Sequence, residues 1–437
     1  MRSCLAVRNL EKAKTYINIL RHSGQKVNTA TLSKYILLCA FCSDKIPDKS
    51  EIETLCNELK SHSHYLNAPS LESIIMGLSV TENWKQGLQL LTSHEEAQTA
   101  LTLNAYVSKL VLGDDLQSAI TWMECLMKKD RPFYDATYEQ WVEKCSSSPE
   151  AWVKLTDFLV RHQVLIPRSI AEKLKEMLEK KTTGSFVGQF TDVEKRTGAC
   201  RTCRRTMKNA SITRDQFQAL KDNMLEKVLC GADVYKGSHP EELHKFYKFI
   251  ENNAPYDVVI DGLNVAYFAG HGNSRAANLK KIEGINAVIK YLHDKQFKRI
   301  LVLGRKHMLG WSPPVIKEIK QRAHMFLTED LSKDDPFLLY AALQDPNTKF
   351  VSDDLFRDHL FRLADYDLQS TFRQWQRNAQ LQIVAIRHDG SVAMQHPLRY
   401  QTVTQLNDGC WHIPYDDGKP RFSYQLPNTW LCLQPKS

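Results

Sequence analysis

The stretch DVVIDGLNVAYF, at Asp257–Phe268, decides the fold of the C-terminal half of this 437-residue chain. Its β-branched run ends in Asp261 and Gly262, and a segment that favours a helix follows at once. A buried strand that leads directly into a helix is typical of an α/β domain with a parallel sheet. Further strand-like runs are Arg299–Leu303, His324–Leu327, Lys349–Val351 and Leu381–Ile386. The helical segments that alternate with them are Asn278–Lys295, Pro313–Arg322 and Pro336–Gln344, so the sequence predicts a parallel sheet covered by helices.

The first 180 residues carry a different pattern, in which apolar residues recur at i, i+3, i+4 and i+7. Comparable helices start near residues 31, 70, 104, 137 and 169, at steps of 39, 34, 33 and 32 residues. A helical pair of about 35 residues cannot bury its apolar face alone, so neighbouring pairs must stack. The sequence therefore predicts an α-solenoid of pentatricopeptide, tetratricopeptide or other helical repeats. A change to Thr, Gly and Ser after residue 181 marks its expected end.

Composition and charge exclude some classes of protein and favour a polyanionic partner. With 43% hydrophobic and 25% charged residues, the chain is not disordered throughout, and no run of roughly 18 apolar residues predicts a membrane span. The net charge is +8, and the whole surplus lies in residues 196–437, which hold 34 Lys and Arg against 26 Asp and Glu. A basic C-terminal half indicates a nucleic acid as partner, whereas the neutral solenoid is expected to supply selected contacts.

Aspartates follow three of the predicted strands, where the carboxyl ends of parallel strands share one edge of the sheet. They are Asp261 after the first strand, Asp334 and Asp335 after the third, and Asp354 after the fourth. Clustered carboxylates repel one another unless a cation neutralises them, and oxygen ligands favour Mg²⁺ or Mn²⁺. The pattern predicts a metal-dependent phosphodiesterase site, and a simple helix cap is the alternative for each single aspartate.

The cysteines indicate a metal site rather than a disulfide framework, since eleven in 437 residues is a sparse and odd number. Cys200 and Cys203 form a C-x-x-C pair beside a glycine and several arginines, a setting that suits zinc thiolates. A redox-active disulfide is the alternative for this pair. Structural zinc takes four ligands, and the remaining candidates lie far downstream, at Cys410, His412 and Cys432.

The motifs DVVIDGLNVAYF and FVSDDLFRDH, the second at Phe350–His359, resemble the signatures of the NYN metallonuclease domain. More closely, the whole chain is similar to the protein-only ribonuclease P family, which joins pentatricopeptide repeats to such a nuclease through a zinc-stapled central region. The resemblance implies a multidomain fold: an all-α pentatricopeptide-like solenoid, a zinc-bound central module and an α/β, Rossmann-like nuclease domain of the PIN/NYN type with a parallel sheet. The implied boundaries are 1–181 for the solenoid, 182–250 with 395–437 for the zinc module, and 251–394 for the nuclease.

Carried over motif by motif, the resemblance also implies roles for individual residues. The implied catalytic residues and ligands of Mg²⁺ or Mn²⁺ are Asp261, Asp334, Asp335 and Asp354. Two secondary catalytic candidates, at the end of the second motif, are Asp358 and His359. The implied ligands of a structural Zn²⁺, completed from the elements CWHIPY and TWLC, are Cys200, Cys203, His412 and Cys432.

The implied reaction is that of ribonuclease P, which removes the 5′ leader from precursor tRNA and leaves a 5′-phosphate on the tRNA and a 3′-hydroxyl on the leader. Weak repeats, and Lys333 where plant members have a third aspartate, place the similarity nearer the animal mitochondrial branch. That branch implies a tRNA methyltransferase subunit and a short-chain dehydrogenase subunit as partners, no membrane partner, and a location in the mitochondrial matrix, with the presequence expected to be absent from this chain. Two other hypotheses stay open, a catalytically silent RNA-binding adaptor and an NYN endoribonuclease that acts on other RNA.

Overall fold

A computed structural model describes residues 1–62, 66–129, 131–180, 186–225, 240–329, 335–363, 365–420 and 428–436. The chain forms two compact units. The first comprises Met1–Phe158 and Ile166–Val187 with Lys436, and the second comprises Leu159–Leu165 and Gly188–Pro435. Within the described residues, no helix combines the length and the apolar character that crossing a membrane requires.

The N-terminal part of the chain is helical because polar caps separate segments that each carry an apolar stripe. Five helix starts are capped by a side chain that accepts the backbone N–H three residues later, and the caps are Asn9, Asn28, Asn67, Thr99 and Asp115. Such caps satisfy N–H groups that the first helical turn leaves unpaired. The α-helices are Arg2–Ala6, Leu10–His22, Thr29–Phe41, Ser50–Ser61, Ala68–Ser79, Trp84–Ser93, Ala100–Leu112, Leu116–Lys128, Asp135–Cys145, Pro149–His162 and Arg168–Lys180, and the short strand β1 is Ile166–Pro167.

Alternate helices of the first unit repeat at a nearly constant interval. Those that begin at residues 29, 68, 100, 135 and 168 are spaced by 39, 32, 35 and 33 residues. Each of these helices packs against the next one in the series. Stacked helical pairs therefore form the predicted α-solenoid, and the predicted period near 35 residues is confirmed.

Asn104 ties two successive repeats together and is almost fully buried. Its amide nitrogen donates to the backbone oxygens of Ala100 and Pro132 at 2.7 and 2.9 Å. Its Oδ1 accepts the Tyr134 N–H and the Thr137 hydroxyl, both at 2.8 Å. All four hydrogen-bonding positions of the amide are therefore used.

We expect Asn104→Ala to lower the free energy of unfolding of the first unit by about 2–4 kcal/mol, because the substitution leaves buried partners unsatisfied. Thermal or urea unfolding of the full chain, followed by its helical signal, measures the change. The matched control is Asn18→Ala at an exposed helix position, which should stay within about 0.5 kcal/mol of the wild type. Equal losses in the two variants would show that the Asn104 hydrogen bonds do not stabilise the repeats.

The second unit contains the predicted parallel sheet. Its strands are β3, Val258–Asp261; β4, Ile300–Arg305; β5, His324–Thr328; β6, Lys349–Val351; β7, Gln380–Ile386; and β8, Val392–Gln395. Their order is β5-β4-β3-β6-β7-β8, and every neighbouring pair is parallel except β7 with β8. The helices of this unit are Arg214–Asn223, Pro240–Asn253, Gly262–Ala269, Arg275–Asp294, Pro313–Arg322, Asp335–Ala342, Arg357–Arg362 and Tyr366–Ala379.

Apolar cores cover both faces of this sheet. Val258, Ile260 and Leu381 face one core, and Val259 and Phe350 face the other. The alternation within β3 arises because successive side chains of a strand point to opposite faces. Burial on both faces explains why the strands read as near-continuous β-branched runs in the sequence.

A smaller sheet, which the sequence did not predict, lies in the C-terminal segment. Its strands include β9, Gln405–Asn407; β10, Cys410–Asp416; and β11, Trp430–Pro435. β10 pairs antiparallel with both β9 and β11. Among the described residues, a further strand, β2, is Phe186–Thr191. The antiparallel ladder between β10 and β11 sets His412 directly opposite Cys432.

Candidate functional site

The carboxyl end of β3 places Asp261 at the start of the helix Gly262–Ala269. Its Oδ1 accepts the Asn264 N–H at 3.0 Å, so the aspartate caps this helix. Glycine follows because the chain passes close to β4: a Cβ at Gly262 would lie 2.5 Å from the Leu303 carbonyl oxygen. The capping role that was the alternative for this residue is therefore present, and it occupies Oδ1 only.

Ser352 links Asp261 to Asp354 across the ends of two adjacent strands. Its hydroxyl donates to Oδ2 of Asp261 at 3.3 Å and accepts the Asp354 N–H at 3.1 Å. A second link runs through Asn264, whose Oδ1 accepts the Asp353 N–H at 3.2 Å. Because β3 and β6 are parallel neighbours, their carboxyl ends bring these two predicted carboxylates to one edge of the sheet.

The turn after β6 holds Asp354 in a defined orientation. Oδ1 of Asp354 accepts the Phe356 N–H at 2.6 Å. Phe356 has a left-handed backbone, with φ of 49°, and its ring is buried. A left-handed conformation in a bulky residue costs on the order of 1–3 kcal/mol, and such strain concentrates at functional sites. The carboxylate of Asp354 itself belongs to an exposed residue.

Asp335 is the first residue of the helix Asp335–Ala342, which follows β5 and packs against β3 and β6. A helix that connects parallel strands runs back from their carboxyl edge, so its first residue lies on the same side as Asp261. Its predicted companion, Asp334, lies outside the described residues. Only one member of the predicted aspartate pair is therefore located.

The secondary candidates Asp358 and His359 lie in the helix Arg357–Arg362. Asp358 is exposed, and the His359 ring packs edge-on against Phe356 with 6.3 Å between ring centroids. Across the part of the chain that the structure describes, no three carboxylates bring one oxygen each within 4.8 Å of one another. The described carboxylates at this edge of the sheet are Asp261, Asp335 and Asp354, and together they are called the acidic edge.

The four predicted zinc-ligand residues come together in the second unit. One ligand atom from each of Cys200, Cys203, His412 and Cys432 lies within 4.8 Å of the others, so the group could hold a metal ion. Sγ of Cys203 is 3.2 Å from Nε2 of His412. Gly198, which precedes the pair, has φ of +74°, and a Cβ there would lie 3.0 Å from the Tyr400 ring. Backbone geometry and packing therefore fix the turn that carries both thiols.

The chemistry of this Cys/His group suits a cation. A hydrogen bond between Cys200 and Cys432 lowers the pKa of Cys200 and raises that of Cys432. Both residues and His412 are fully buried. Buried thiolates side by side are unfavourable without a cation, and metal binding releases protons from thiol ligands. The rival donor Cys410 is not one of these four residues, and its Sγ accepts a hydrogen bond from Arg205 at 2.6 Å.

A sequence profile described as "Protein-only RNase P" matches residues 194–432, more than half of the chain. This chain belongs to the protein-only RNase P family. The matched range contains the acidic edge and the whole Cys/His group. Membership makes the chain an endoribonuclease of the ribonuclease P class, so the predicted family and enzyme class are confirmed.

Two mammalian relatives extend the match beyond the profile. The chain is 31% identical to the mitochondrial ribonuclease P catalytic subunit of Rattus norvegicus over 432 residues, which covers 93% of this chain and 69% of that protein. It is 32% identical to the subunit of the same name from Mus musculus over 436 residues, which covers 93% and 70%. The similarity to these RNase P subunits therefore includes the solenoid.

The fold of this protein-only RNase P matches a solved structure of a plant protein. The crystal structure of nuclear proteinaceous RNase P 2 from Arabidopsis thaliana superposes with a TM-score of 0.65 at 15% identity, covering 100% of this chain and 98% of that one. At this identity the likeness concerns the fold alone. The predicted fold class, a pentatricopeptide-like solenoid joined to an α/β nuclease domain with a parallel sheet, is confirmed.

Sequence reasoning missed two residues that connect the ends of β3 and β6, Ser352 and Asn264. Both lie inside the quoted motifs, and both have short polar side chains beside an aspartate at a strand end. Asn264 is the third residue of a helix that Asp261 caps, a position whose N–H is normally bound by the cap. The cap signal could have identified Asn264, whereas the role of Ser352 depends on the pairing of β3 with β6.

Proposed function

We propose that this chain is the catalytic subunit of a mitochondrial ribonuclease P that removes the 5′ leader of precursor tRNA. The observation that carries the proposal is the chain of hydrogen bonds from Asp261 through Ser352 to Asp354, inside the range that matches the family. The rat and mouse relatives are named for the mitochondrial enzyme. In this proposal the products are a 5′-phosphate on the tRNA and a 3′-hydroxyl on the leader.

The acidic edge holds Mg²⁺ or Mn²⁺ in this proposal, and its ligands are Asp261, Asp334, Asp335 and Asp354. When bound, such an ion acidifies water and stabilises the charge that develops on the phosphodiester. The hydroxyl of Ser352 and the N–H of Asn264 orient the Asp261 carboxylate from opposite oxygens. Carboxylates fixed in this way need little reorganisation during the reaction. The secondary candidates are Asp358 and His359, of which His359 orients a carboxylate or water in this proposal.

The Cys/His group holds a structural Zn²⁺ in this proposal. Three thiolates and one imidazole are a typical zinc set, and four protein ligands leave no position open for water. The zinc module then comprises residues 182–250 and 395–437, the nuclease domain 251–394 and the solenoid 1–181.

The substrate and partners follow from the same family relationship. Precursor tRNA is the substrate, and a tRNA methyltransferase subunit and a short-chain dehydrogenase subunit assist the reaction. The mitochondrial matrix is the location. The names of the rat and mouse relatives support the mitochondrion, and the matrix and the two partner subunits belong to the proposal.

Cleavage of one precursor tRNA, with and without the partner proteins and mapped to the nucleotide, tests the function. We expect a single cut at the leader junction, which chelation of Mg²⁺ abolishes and added Mg²⁺ restores. The expected loss on chelation is on the order of 10³-fold, because the ion supplies several kcal/mol of transition-state stabilisation. No cleavage even with the partners would indicate a silent RNA-binding adaptor. Cleavage of unstructured RNA without preference for the junction would indicate an NYN endoribonuclease with another substrate.

A further inference from the structure

A cavity of about 860 Å³ lies within the second unit, beside the acidic edge. The helix Tyr366–Ala379 forms one wall, and the segment 396–403 contributes to another. Leu355, the neighbour of Asp354 in the chain, also lines the cavity. Ligand pockets in proteins have volumes of roughly 300–1,000 Å³, so this cavity is large enough for a nucleotide.

Glutamine side chains form the floor of the cavity, on a sheet face that is otherwise apolar. Gln380 of β7 lies beside Phe350 of β6 in the parallel ladder, so the two side chains point to the same face of the sheet. Phe350 belongs to the apolar core on that face. Gln382 lies on that face too, pairs with Gln395 of β8, and is 8% exposed. Burying an amide on a sheet face is unfavourable unless it finds a hydrogen-bond partner. Gln380 finds such partners within the protein, whereas the Gln382 amide has none among the described residues, so Gln382 favours a polar occupant.

Two half-buried arginines, Arg373 and Arg377, line the cavity at an i, i+4 spacing on the helix Tyr366–Ala379. Burial lowers the pKa of both, and the charge of Arg373 further lowers the pKa of Arg377, to about 10. Neither guanidinium forms an ion pair or hydrogen bond with another described residue. Like charges this close are unfavourable without an anion.

The remaining charges of the cavity have the same sign. Exposed Lys195 and Arg196 also line it, and none of the lining residues in the described ranges is acidic. A concentration of positive charge without a carboxylate raises the local potential and attracts phosphate groups.

Hydrogen bonds connect the cavity to the acidic edge. Gln380 Nε2 donates to the backbone oxygens of Ser352 and Asp354 at 2.5 and 3.0 Å. Gln376, from the arginine-bearing helix, donates to the same Asp354 oxygen at 3.3 Å and to the Gln380 side chain at 3.1 Å. The turn that orients Asp354 is thus part of the cavity wall.

We propose that this cavity binds a nucleotide, with the arginines on its phosphate and the Gln382 amide on its base. A guanidinium matches phosphate oxygens in a bidentate manner, and amide side chains donate to and accept from base edges. Two sources can supply the nucleotide, the single-stranded RNA next to the cleaved bond and a free nucleotide. The RNA source rests on the proposed function, whereas the binding site itself does not.

Binding of a 3′-labelled, 5′-phosphorylated single-stranded tetraribonucleotide to the full chain, and of AMP as a second probe, tests the cavity. The double variant Arg373→Gln/Arg377→Gln should weaken binding of the tetraribonucleotide about tenfold or more, because it removes two charged hydrogen-bond donors. The matched control is Arg322→Gln, which removes one exposed arginine that pairs with Glu318. Its affinity should stay within about twofold of the wild type.

Leader length separates the two sources. If the RNA strand occupies the cavity, the double variant raises KM about tenfold for a precursor tRNA with a long leader. For a precursor tRNA with a minimal leader, KM stays within about twofold of the wild-type value. If a free nucleotide occupies it, the double variant weakens AMP binding to the same degree and shows no dependence on leader length. Either pattern supports the site.

Unchanged affinity of the double variant for both probes overturns the proposal, and so does a wild-type chain that binds neither probe. Removal of unpaired buried charge should leave the melting temperature unchanged or higher. If the melting temperature of the double variant falls, Arg377→Lys replaces it in the binding experiment. Lysine keeps the positive charge but lacks the planar guanidinium group, so Arg377→Lys should also weaken binding. A wild-type chain that binds the probes but cleaves no precursor tRNA refutes the proposed function alone.

Discussion

Asp261→Asn should lower the rate of precursor tRNA cleavage on the order of 10³-fold and leave the melting temperature within about 2 °C of the wild type. Asparagine caps a helix as well as aspartate does, so the bond to the Asn264 N–H can be kept. The negative charge that attracts a divalent cation is lost, because an amide oxygen carries none. Single-turnover cleavage at saturating Mg²⁺, together with thermal unfolding of the same samples, measures both quantities.

Asp115→Asn is the matched control for this variant. Asp115 caps the helix Leu116–Lys128 and accepts the Ser118 N–H at 3.1 Å, the same arrangement as at Asp261. The chemical change is identical, but the residue belongs to the solenoid, so cleavage should stay within about twofold of the wild type. Full activity in Asp261→Asn would mean that this aspartate serves the helix alone, and the proposed metal ligands would then need revision.

Cys432→Ser is expected to abolish stoichiometric zinc binding and to lower the free energy of unfolding of the second unit by at least about 3 kcal/mol. The thiol lies in a fully buried group, where the loss of one ligand leaves the remaining donors without their shared cation. The measurements are metal content by mass spectrometry and urea unfolding.

Cys410→Ser is the matched control for the zinc-binding measurement, because it removes a buried thiol from the same strand as His412. Its Sγ accepts a hydrogen bond from Arg205, and Cys410 is not among the four residues whose ligand atoms lie within 4.8 Å of one another. We expect this variant to retain one zinc ion per chain and to lose less than about 1.5 kcal/mol of stability. Zinc lost from Cys410→Ser and kept by Cys432→Ser would make Cys410 the fourth ligand.

The parallel sheet could be predicted because its strands are short runs of β-branched residues between amphipathic helices. The run Lys349–Val351 has the same bounds in the sequence prediction and in the structure. β10 could not be predicted in this way. Its residues Cys410–Asp416 include a tryptophan, a histidine and a proline, and they show no alternation of polar and apolar character. Its pairing with β11 is long-range and leaves little local signal. Its pairing with β9 is local, through the turn Asp408-Gly409, and this dipeptide is a hairpin signal that the sequence analysis did not use.

The candidate site also has some features that the sequence predicts and others that it does not. The shared edge for Asp261 and Asp354 followed from the rule that parallel strands end on one side of the sheet. The details depended on contacts that the order of residues in the sequence does not show. One example is the Ser352 hydroxyl, which joins the Asp261 carboxylate to the backbone N–H of Asp354. The left-handed backbone at Phe356 is another example, because nothing in a phenylalanine favours that conformation. The cavity beside Asp354 likewise exists only in three dimensions.

The Cys/His group has a consequence for the synthesis of the chain. Cys203 and His412 are separated by 209 residues, and the whole six-stranded sheet lies between them. At bacterial to eukaryotic elongation rates this interval takes about 10–40 s, so the first two thiols leave the ribosome long before their partners. The parallel sheet has time to form during this delay. A nascent chain that stops before Cys432 lacks one of the four ligands. Stable binding of the metal ion would therefore occur only in chains that extend past Cys432.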